Sequence, residues 1–410
     1  MRMTAFLAFL TVSSLVQADD WPQFRGPRGD GQSSATGLPV TWSESEHIRW
    51  KTEIHGKGWS SPVILNGQVW ITTAPEDGKQ LFAVCVAADS GKIVRDVRVF
   101  SIEKPAFCHT MNSYATPTPA LEEGRVYVHF GSAGTACLDT QSGQVLWTRQ
   151  DLPCDHFRGP ASSPILYRDL LIVNFDGFDY QYVVALDKHS GRTVWKRDRD
   201  IDYRTPDGDG KKAYGTPQVV EANGRAQLVS PAAVATLAYD PLTGEELWRV
   251  RHGGMNSSAR PLFGQGLIFI NTGAGGDRLL AVRPGGRGDV TESHVAWKQA
   301  KTVPTRSSQL LIGDLIFMVD DAGVASCLEA KTGHPVWQHR LGGKYSASPV
   351  AADGRIYFFS EDGEMPVIAP AAEFKSLAVN RLDEGCMASP AIVGHALYVR
   401  TRTHLYRIEN

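Results

Sequence analysis

The chain has 410 residues, a length that allows two or three domains of the commonest size. Its 42% hydrophobic and 21% charged residues are typical of a globular protein, and a formal net charge of −2 argues against a nucleic-acid partner and against a basic membrane-binding surface. Glycine is abundant, with 40 residues spread along the chain, and this favours many turns between many short strands.

The first 18 residues have the pattern of an export signal. Arg2 supplies a positive charge, residues 5–16 form an apolar run, and the small residues Val16 and Ala18 have the spacing of a signal-peptidase site. An uncleaved anchor is the alternative, although twelve residues are fewer than the about twenty that span a bilayer. The sequence therefore predicts a signal peptide over residues 1–18, no transmembrane segment, and an exported, soluble protein that is periplasmic or extracellular.

One phrase recurs along the rest of the chain. It consists of a small residue, an apolar residue and an acid, followed by Ser or Thr with Gly, and then by Trp. Clear copies end at Trp147, Trp195, Trp248 and Trp337. A degraded copy spans residues 85–95, and a copy that begins at Ala281 carries an insertion before Trp297. Such internal repetition is the signature of a repeat architecture.

A second phrase, usually two small residues and Pro, precedes each copy and occurs eight times. Its middle residues are Ser61, Thr116, Ser163, Thr216, Arg260, Ser308, Ser348 and Ser389. Tight turns such as Asn66-Gly67 and Asp353-Gly354 separate short β-type runs between the phrases. Four short strands in about 47 residues match the size of a propeller blade. The sequence therefore predicts one all-β domain over residues 19–410, an eight-bladed β-propeller of four-stranded antiparallel blades.

The two ends of the chain predict how the ring closes. The eighth copy of the second phrase is followed by about twenty residues, enough for three strands but not for a Trp-bearing fourth strand. Residues 48–54 have the character of that missing strand and contain Trp50. We expect them to complete the eighth blade beside Tyr398 and Tyr406, after a lead-in of residues 19–47. Closure of this kind removes the exposed strand edges of an open ring.

The repeat resembles that of the PQQ-like (pyrroloquinoline-quinone-type) β-propellers, as in Ala238-Tyr239-Asp240…Thr243-Gly244…Trp248. That family includes quinoprotein alcohol dehydrogenases and non-catalytic scaffolds of the BamB type. The resemblance implies that a dehydrogenase would hold PQQ against a vicinal disulfide and a Trp floor, with a Ca²⁺ site and a catalytic Asp. This chain has no adjacent cysteines and no CxxCH haem motif, so it resembles the BamB-type scaffolds more. It also lacks the lipidated Cys of the BamB assembly lipoprotein.

The six cysteines do not have the pattern of a disulfide framework. Cys85, Cys137 and Cys327 occupy a position that holds Ala in other copies, which indicates small buried packing residues. Cys108 and Cys154 lie in successive connections between blades. The sequence leaves open whether they form a disulfide, because it gives no Cα separation.

Long loops are expected on one face of the ring and two-residue turns on the other. Connections between blades, and loops between second and third strands, are long and rich in polar and aromatic residues. Since function concentrates in loops held by a rigid scaffold, this long-loop face is the candidate binding face. The candidate residues are His109, Asn112, Tyr114, Asp155, His156, Arg158, Asp176, Asp179, Tyr203 and His252.

The sharpest cluster on this face belongs to the third blade. Asp155, His156 and Arg158, together with Asp176, are residue types that bind anions or polar ligands or move protons. In the alternative, Asp155 and Arg158 pair to order the loop and His156 caps a strand end. We favour the alternative, because ion pairs that hold loops are common.

Three functions are compatible with this pattern. The first is a cofactor-free, monomeric binding or assembly scaffold whose long-loop face contacts a protein, a glycan or an envelope component. The second is a PQQ- and Ca²⁺-dependent dehydrogenase-like oxidoreductase, and the third is a hydrolase or lyase that uses His156 and Asp176. The missing cysteine pair and haem motif favour the non-catalytic scaffold, for which neither a metal site nor a cofactor is expected.

Overall fold

The computed structural model describes residues 20–410, so the predicted signal peptide, residues 1–18, lies outside the described residues. The described chain forms eight sheets, seven of four strands and one of five, around a central channel. Helix is confined within this part of the chain to one α-helical turn, Thr291–His294, and one 3₁₀ turn, Gly208–Lys211. The predicted eight-bladed propeller of four-stranded antiparallel blades is confirmed.

Each blade is an antiparallel meander from the channel to the rim. The strands are β1 (Ile48–Glu53); β2–β5 of blade one (Val63–Leu65, Gln68–Thr73, Gln80–Ala87, Ile93–Ser101); β6–β9 of blade two (Ala120–Glu122, Arg125–His129, Thr135–Asp139, Val145–Arg149); β10–β13 of blade three (Ile165–Tyr167, Leu170–Asp176, Gln181–Asp187, Thr193–Asp198); β14–β17 of blade four (Gln218–Ala222, Arg225–Pro231, Ala235–Tyr239, Glu246–Arg251); β18–β20 and β22 of blade five (Leu262–Gly264, Leu267–Asn271, Leu279–Val282, Val295–Gln299), with β21 (Gly288–Asp289) between them in the chain; β23–β26 of blade six (Leu310–Ile312, Leu315–Val319, Val324–Glu329, Pro335–Arg340); β27–β30 of blade seven (Val350–Ala352, Arg355–Tyr357, Glu364–Ile368, Ser376–Arg381); and β31–β33 of blade eight (Ala391–Val393, Ala396–Arg400, His404–Glu409).

The hydrophobic core lies in layers between neighbouring blades. Second strands such as β11 are buried along their whole length, whereas the rim strand β13 is mostly exposed. Each blade therefore packs on its two neighbours, and one domain can exceed the usual size of a single core. Cys85, Cys137 and Cys327 are buried thiols in these layers, in line with the packing role that their position in the repeat indicates.

The Trp of the repeat forms a hydrogen bond with the next blade in five places. Trp147 Nε1 donates a hydrogen bond to the carbonyl of Lys188 at 2.9 Å, and a Cβ on Gly191 would lie only 2.6 Å from the Trp147 ring. Because Gly191 also has a φ of 73°, only glycine meets both conditions. Equivalent Nε1 bonds run from Trp50 to Ala88, Trp195 to Pro241, Trp297 to Ala330 and Trp337 to Ala371.

The fourth blade departs from this pattern. Trp248 Nε1 donates instead to Gln227 Oε1, within its own blade. The insertion that precedes Trp297 places β21 parallel to β17, where it covers the blade edge as a fifth strand. The insertion thus explains why this Trp has no partner in the following blade.

The eighth blade is closed by β1, which pairs antiparallel with β33. Trp50 lies on this outermost strand, with its ring centroid 6.0 Å from that of Tyr398. Pairing continues one residue beyond the strand, since Ile54 N donates to the carbonyl of Thr403. The predicted closing strand over residues 48–54 is confirmed.

The lead-in has a role that its sequence did not reveal. Residues 21–33 cross the short-turn face and seal the channel there; we call them the plug. Hydrogen bonds join the plug to Ile64, Leu121, Gln218, Arg260, Leu311 and Ala351, which belong to six different blades. The channel is therefore open only towards the long-loop face.

Two further expectations concern membranes and disulfides. No helix within residues 20–410 has the length and apolar character needed to cross a membrane. All six cysteines are free thiols, so Cys108 and Cys154 do not form the disulfide that the sequence left open.

Candidate binding site

A ring of hydroxyl groups links the blades around the channel. In six places the backbone N–H of one blade donates, at 2.9–3.0 Å, to the Ser or Thr hydroxyl at the same position of the next blade. The accepting residues are Thr118, Ser163, Thr216, Ser308, Ser348 and Ser389. In the second blade the repeat position is thus Thr118-Pro119, which corrects the assignment to Thr116 by two residues. We call these six residues the hydroxyl ring.

The hydroxyl groups of the ring are not used as hydrogen-bond donors within the described chain. Each hydroxyl uses a lone pair to accept the backbone N–H, and none of the six donates its own proton to a protein atom in the described part of the chain. All six side chains belong to residues that are at most 6% exposed. Buried polar hydrogens normally find an acceptor, so these groups are suited to a ligand that supplies oxygen lone pairs.

Beneath the ring, the plug forms a floor with two buried arginines. Arg260 takes the place of a hydroxyl in the fifth blade and donates to the carbonyl of Phe24 and to Gln23 Oε1. Arg25 donates to the carbonyls of Pro349, Asp30 and Gln309. Burial lowers the pKa of Arg25 to about 10 and that of Arg260 to about 9, and the two charges repel each other. At neutral pH both stay charged, and both raise the potential of the floor.

A cavity of about 360 Å³ stands on this floor and opens to the long-loop face; we call it the cup. Its lining includes Phe24, Trp59, His109, Met111, Asn112, Arg158, Tyr214, Asn256, Arg306 and five of the six hydroxyl-ring residues. No Asp or Glu is part of this lining. The cup therefore presents hydrogen-bond donors and positive charge to whatever enters it.

Arg158 is the cation that the cup leaves unpaired. Its carbonyl accepts a hydrogen bond from Asn112 Nδ2 at 2.8 Å, which fixes the backbone, while its guanidinium has no hydrogen-bond partner in the described chain. Arg306, the other arginine of the lining, faces Glu361 at 3.3 Å and Asp321 at 3.6 Å. Arg158 is thus the basic side chain available to a ligand.

Exposed aromatic rings lie beside the mouth of the cup. Phe157 stands between Phe107 and Phe178, with ring centroids 5.7 Å away on either side, and the three rings are 38%, 61% and 37% exposed. We call these three residues the aromatic stripe. Tyr180 and Met111 add further exposed apolar surface nearby in the chain. Contiguous exposed apolar surface of this kind marks an interaction site.

The central ring of the stripe is held by a strained backbone. Phe157 has a φ of 55°, a left-handed conformation that a bulky side chain adopts only at a cost. Asp155 Oδ1 accepts the Phe157 N–H at 2.8 Å, and the Lys212 ammonium lies 4.4 Å from the ring centroid. The loop thus keeps an aromatic ring exposed at the expense of backbone strain.

The structure places His156 inside the blade rather than on the surface. Its Nε2 accepts the backbone N–H of Ser132 at 3.1 Å, and its Nδ1 lies 3.7 Å from the Cys154 thiol. Burial lowers the pKa of His156 to about 4, so the ring is neutral at pH 7. Asp155 and Arg158 do not form an ion pair with each other, in contrast to the arrangement favoured from the sequence.

Two other candidates are also buried structural groups. Asp176 receives two hydrogen bonds from Arg199, at 2.9 and 2.7 Å, and both side chains are 1% exposed. His252 bonds to Thr236 and to Gly254 N, and burial lowers its pKa to about 4. Asp176 and His156 therefore do not form an accessible acid–base pair.

The remaining candidates mostly order loops. Asn112 bonds to two carbonyls of the next connection, Tyr114 OH donates to the Ala106 carbonyl, and Asp179 accepts the N–H of Asp155. Tyr203 is half-buried. Of the ten candidates, the structure brings only His109, Asn112 and Arg158 to the cup.

Sequence reasoning missed the hydroxyl ring, the floor and the stripe. The hydroxyls were visible as the second phrase of the repeat, but they were treated as a marker of blade number only. The stripe could have been found from the three phenylalanines in loops that were expected to hold polar and aromatic residues. Phe24 and Arg25 carry no signal of their position, because their partners are hundreds of residues away.

The residues of the cup do not fit the Ca²⁺-bound PQQ of the quinoprotein dehydrogenases. Calcium requires several carboxylate or carbonyl oxygens, yet the lining has no carboxylate. No group of three or more His, Cys, Asp or Glu residues within residues 20–410 is placed to hold a metal ion. The cup supplies donors where that metal needs acceptors.

Comparison with known proteins points to a single architecture. A family model described as outer membrane protein assembly factor BamB matches residues 32–218 and 235–371, more than half of the chain. No curated protein matches the sequence.

Solved structures with the same fold include both scaffolds and enzymes. BamB from Moraxella catarrhalis aligns with a TM-score of 0.62 and 14% identity, over 88% of this chain and 99% of that one. Quinohemoprotein alcohol dehydrogenase from Comamonas testosteroni aligns with a TM-score of 0.66 and 11% identity, over 95% and 80%. A europium-containing methanol dehydrogenase aligns with a TM-score of 0.65 and 12% identity, over 93% and 90%. At these identities the likeness establishes the fold alone.

Proposed function

This chain belongs to the family described as outer membrane protein assembly factor BamB, and from that premise we propose that it is an exported, non-catalytic scaffold that binds a protein partner through its long-loop face. The aromatic stripe is the observation that carries this proposal. Three contiguous phenylalanines are exposed on the face where long loops meet, and one of them is held there by a strained backbone.

A protein partner suits the stripe better than a flat sugar ring does. The rings of Phe107 and Phe157 are inclined by 55° and those of Phe157 and Phe178 by 33°, so they form a stepped surface and not a platform. Aromatic side chains are the usual anchors of protein interfaces, where they fill pockets between apolar side chains of the partner.

The titratable side chains of the long-loop face do not support a catalytic role. His156, His252 and Asp176 are buried and committed to structural hydrogen bonds. Burial also raises the pKa of the Cys108 thiol to about 11, so it is not a nucleophile at neutral pH.

Site-specific photo-crosslinking in producing cells tests the proposal. A photoreactive benzoylphenylalanine replaces Phe178 in one variant and Val194, an exposed residue of the rim strand β13, in the control. We expect a discrete protein adduct from position 178, lost when Phe107 is also changed to Ser, and no such adduct from position 194. Equal cross-linking at both positions, or none at position 178, would contradict a partner-binding role for this face.

A further inference from the structure

We propose that the cup binds the C-terminal carboxylate of a protein partner, at the end of an extended segment whose apolar side chains cover the aromatic stripe; this inference rests on the proposed function. The structure supports it through four features: unused donors, one unpaired cation, a sealed floor, and the continuity of the cup with the stripe.

The first feature is the set of unused hydrogen-bond donors in the cup. Five hydroxyl-ring residues line the cup, and their protons are not committed to any protein acceptor in the described chain. A hydroxyl that already accepts a backbone N–H points its proton elsewhere, and here the open direction is the channel. His109 adds a donor, because its Nδ1 accepts the N–H of Met111 and its proton must then be on Nε2. A carboxylate, which only accepts hydrogen bonds, matches such a set.

The charge of the cup agrees with this assignment. The Arg158 guanidinium forms no salt bridge or hydrogen bond with an acid in the described chain, whereas Arg306 is already faced by two carboxylates. Asp209, whose carboxylate interacts with the Arg158 charge, is hydrogen-bonded to Lys212. The buried pair Arg25 and Arg260 adds positive potential from below the floor. A ligand with a negative charge is thus favoured, and a cation is repelled.

The shape of the cup favours a chain end. Phe24 and the plug close the channel at the short-turn face, so a segment that enters the cup cannot leave on the other side. An internal acidic residue would require the partner to enter and turn back within about 360 Å³. A C-terminus needs only one way in and brings a carboxylate with it.

The residues of the cup and those of the stripe are neighbours in the sequence. Arg158 follows Phe157, and Met111 of the cup lies four residues after Phe107. When a carboxylate contacts Arg158, the residues that precede it leave the cup beside the three rings. The apolar side chains of the partner then supply affinity, and the carboxylate supplies direction and register.

Retention of peptide mixtures on the immobilised protein tests the inference. The probes are two random octapeptide mixtures, one with a free C-terminal carboxylate and the other amidated. We expect the wild-type protein to retain the free-carboxylate mixture about tenfold more than the amidated one, the scale of one charge-assisted contact. Arg158→Gln reduces this preference to less than about twofold, while the control Arg192→Gln, an exposed arginine of the short-turn face, leaves it unchanged.

Four outcomes would overturn the inference. The first is equal retention of both mixtures by the wild-type protein. If both are then lost together in Phe107→Ser with Phe178→Ser, the scaffold function stands without carboxylate recognition. The second is a preference that survives Arg158→Gln. The third is full displacement of the peptides by millimolar citrate or phosphate in a variant without the stripe phenylalanines, which would identify a small-anion site. The fourth is that the wild-type protein retains neither mixture while the cross-link at position 178 is intact. This result contradicts ligand binding in the cup and leaves the proposed scaffold function in place.

Discussion

The two ends of the central channel are built from the same ring of blades and differ in almost every other respect. At the short-turn face Trp21 and Arg25 of the plug are fully buried, and the plug forms hydrogen bonds with six blades. At the long-loop face the hydroxyl protons and the Arg158 guanidinium of the cup have no protein partner in the described chain, and the three phenylalanine rings of the stripe stay partly exposed. The chain itself covers one end of the channel, and we propose that a ligand occupies the other.

This difference separates structural from functional polarity. Buried arginines normally indicate a site, yet Arg25 and Arg260 point at backbone carbonyls and serve the floor. Buried histidines are equally suggestive, yet His156 and His252 accept backbone N–H groups. A polar residue near a channel indicates a binding site when its hydrogen-bonding groups have no partner within the protein. The residue type alone does not show whether this is the case.

Deleting residues 19–53 is expected to have the largest effect, because it removes the plug and the closing strand together. The eighth blade would lose its rim strand and expose both an apolar face and a strand edge. We expect loss of soluble, cooperatively unfolding protein, measured by size-exclusion chromatography and circular dichroism. Deletion of residues 19–33 alone keeps β1 and should leave a closed but less stable ring. A full-length-like melting curve for the longer deletion would refute the closure mechanism.

The next largest effect is the difference in stability between variants of a buried and of an exposed aspartate on the same face. Asp176→Asn leaves Arg199 uncompensated inside the blade, and removal of one partner of a buried ion pair costs about 3–5 kcal/mol. Asp179→Asn, three residues further along the chain and exposed, should cost under about 0.5 kcal/mol. Urea unfolding of both variants measures the difference. Equal stabilities would show that Asp176 does not anchor the loop.

Acid should lower the stability of the fold, because three of its histidines are buried. Burial holds the pKa of His129 at about 3 and those of His156 and His252 at about 4, below the value of about 6.5 in an unfolded chain. Because the unfolded state then binds protons that the folded state excludes, stability is complete above about pH 6.5 and falls towards pH 4. Between pH 7 and 5.5 the three histidines together should cost about 4 kcal/mol.

His156→Gln tests the contribution of one of these histidines. Gln keeps an acceptor for the Ser132 N–H and does not titrate, so the variant should lose about a third of the pH dependence. Urea unfolding at several pH values provides the measurement, and an unchanged slope in His156→Gln would show that this ring is not the titrating group.

The fold could be predicted because its information is local and repeated. Eight copies of the second phrase, six of them with Ser-Pro or Thr-Pro, mark the eight blades, and the missing fourth strand of the eighth copy identified the strand with Trp50 as the closing strand. The one register error, Thr116 for Thr118, arose where two Thr-Pro pairs follow each other and only inter-blade bonding distinguishes them.

The site could be predicted only as a face, because its details depend on contacts between distant segments. Asp176 is paired with Arg199, which follows the rim strand β13, and the buried His156 ring accepts the N–H of Ser132. Phe24 reaches the floor through a bond with Arg260, 236 residues further along the chain. No local pattern encodes such pairings, so the residue types alone could not separate ligands from supports.

The hydroxyl ring should contribute to stability as well as to binding. Thr118→Val leaves the Ser61 N–H without its acceptor in a buried position, and such a loss costs about 1–2 kcal/mol. Thr118→Ser keeps the hydroxyl and should be close to neutral. Thermal unfolding of the pair isolates the hydroxyl from the change of shape. Equal destabilisation of the two variants would mean that the methyl group, and not the inter-blade bond, matters at this position.

The smallest expected effect is that of PQQ with Ca²⁺, which should leave the melting temperature unchanged. A ligand present at a hundred times its dissociation constant stabilises the folded state by about 2.7 kcal/mol, a shift that differential scanning fluorimetry detects readily. The cup has no carboxylate to hold Ca²⁺, and the chain has no adjacent cysteines to stack on the quinone. Its unpaired Arg158 does attract carboxylates, so a weak shift with PQQ alone that disappears in Arg158→Gln would reflect carboxylate binding in the cup. A larger shift that requires Ca²⁺ together with PQQ, accompanied by alcohol-dependent dye reduction, would instead place the open end of the channel among the dehydrogenases.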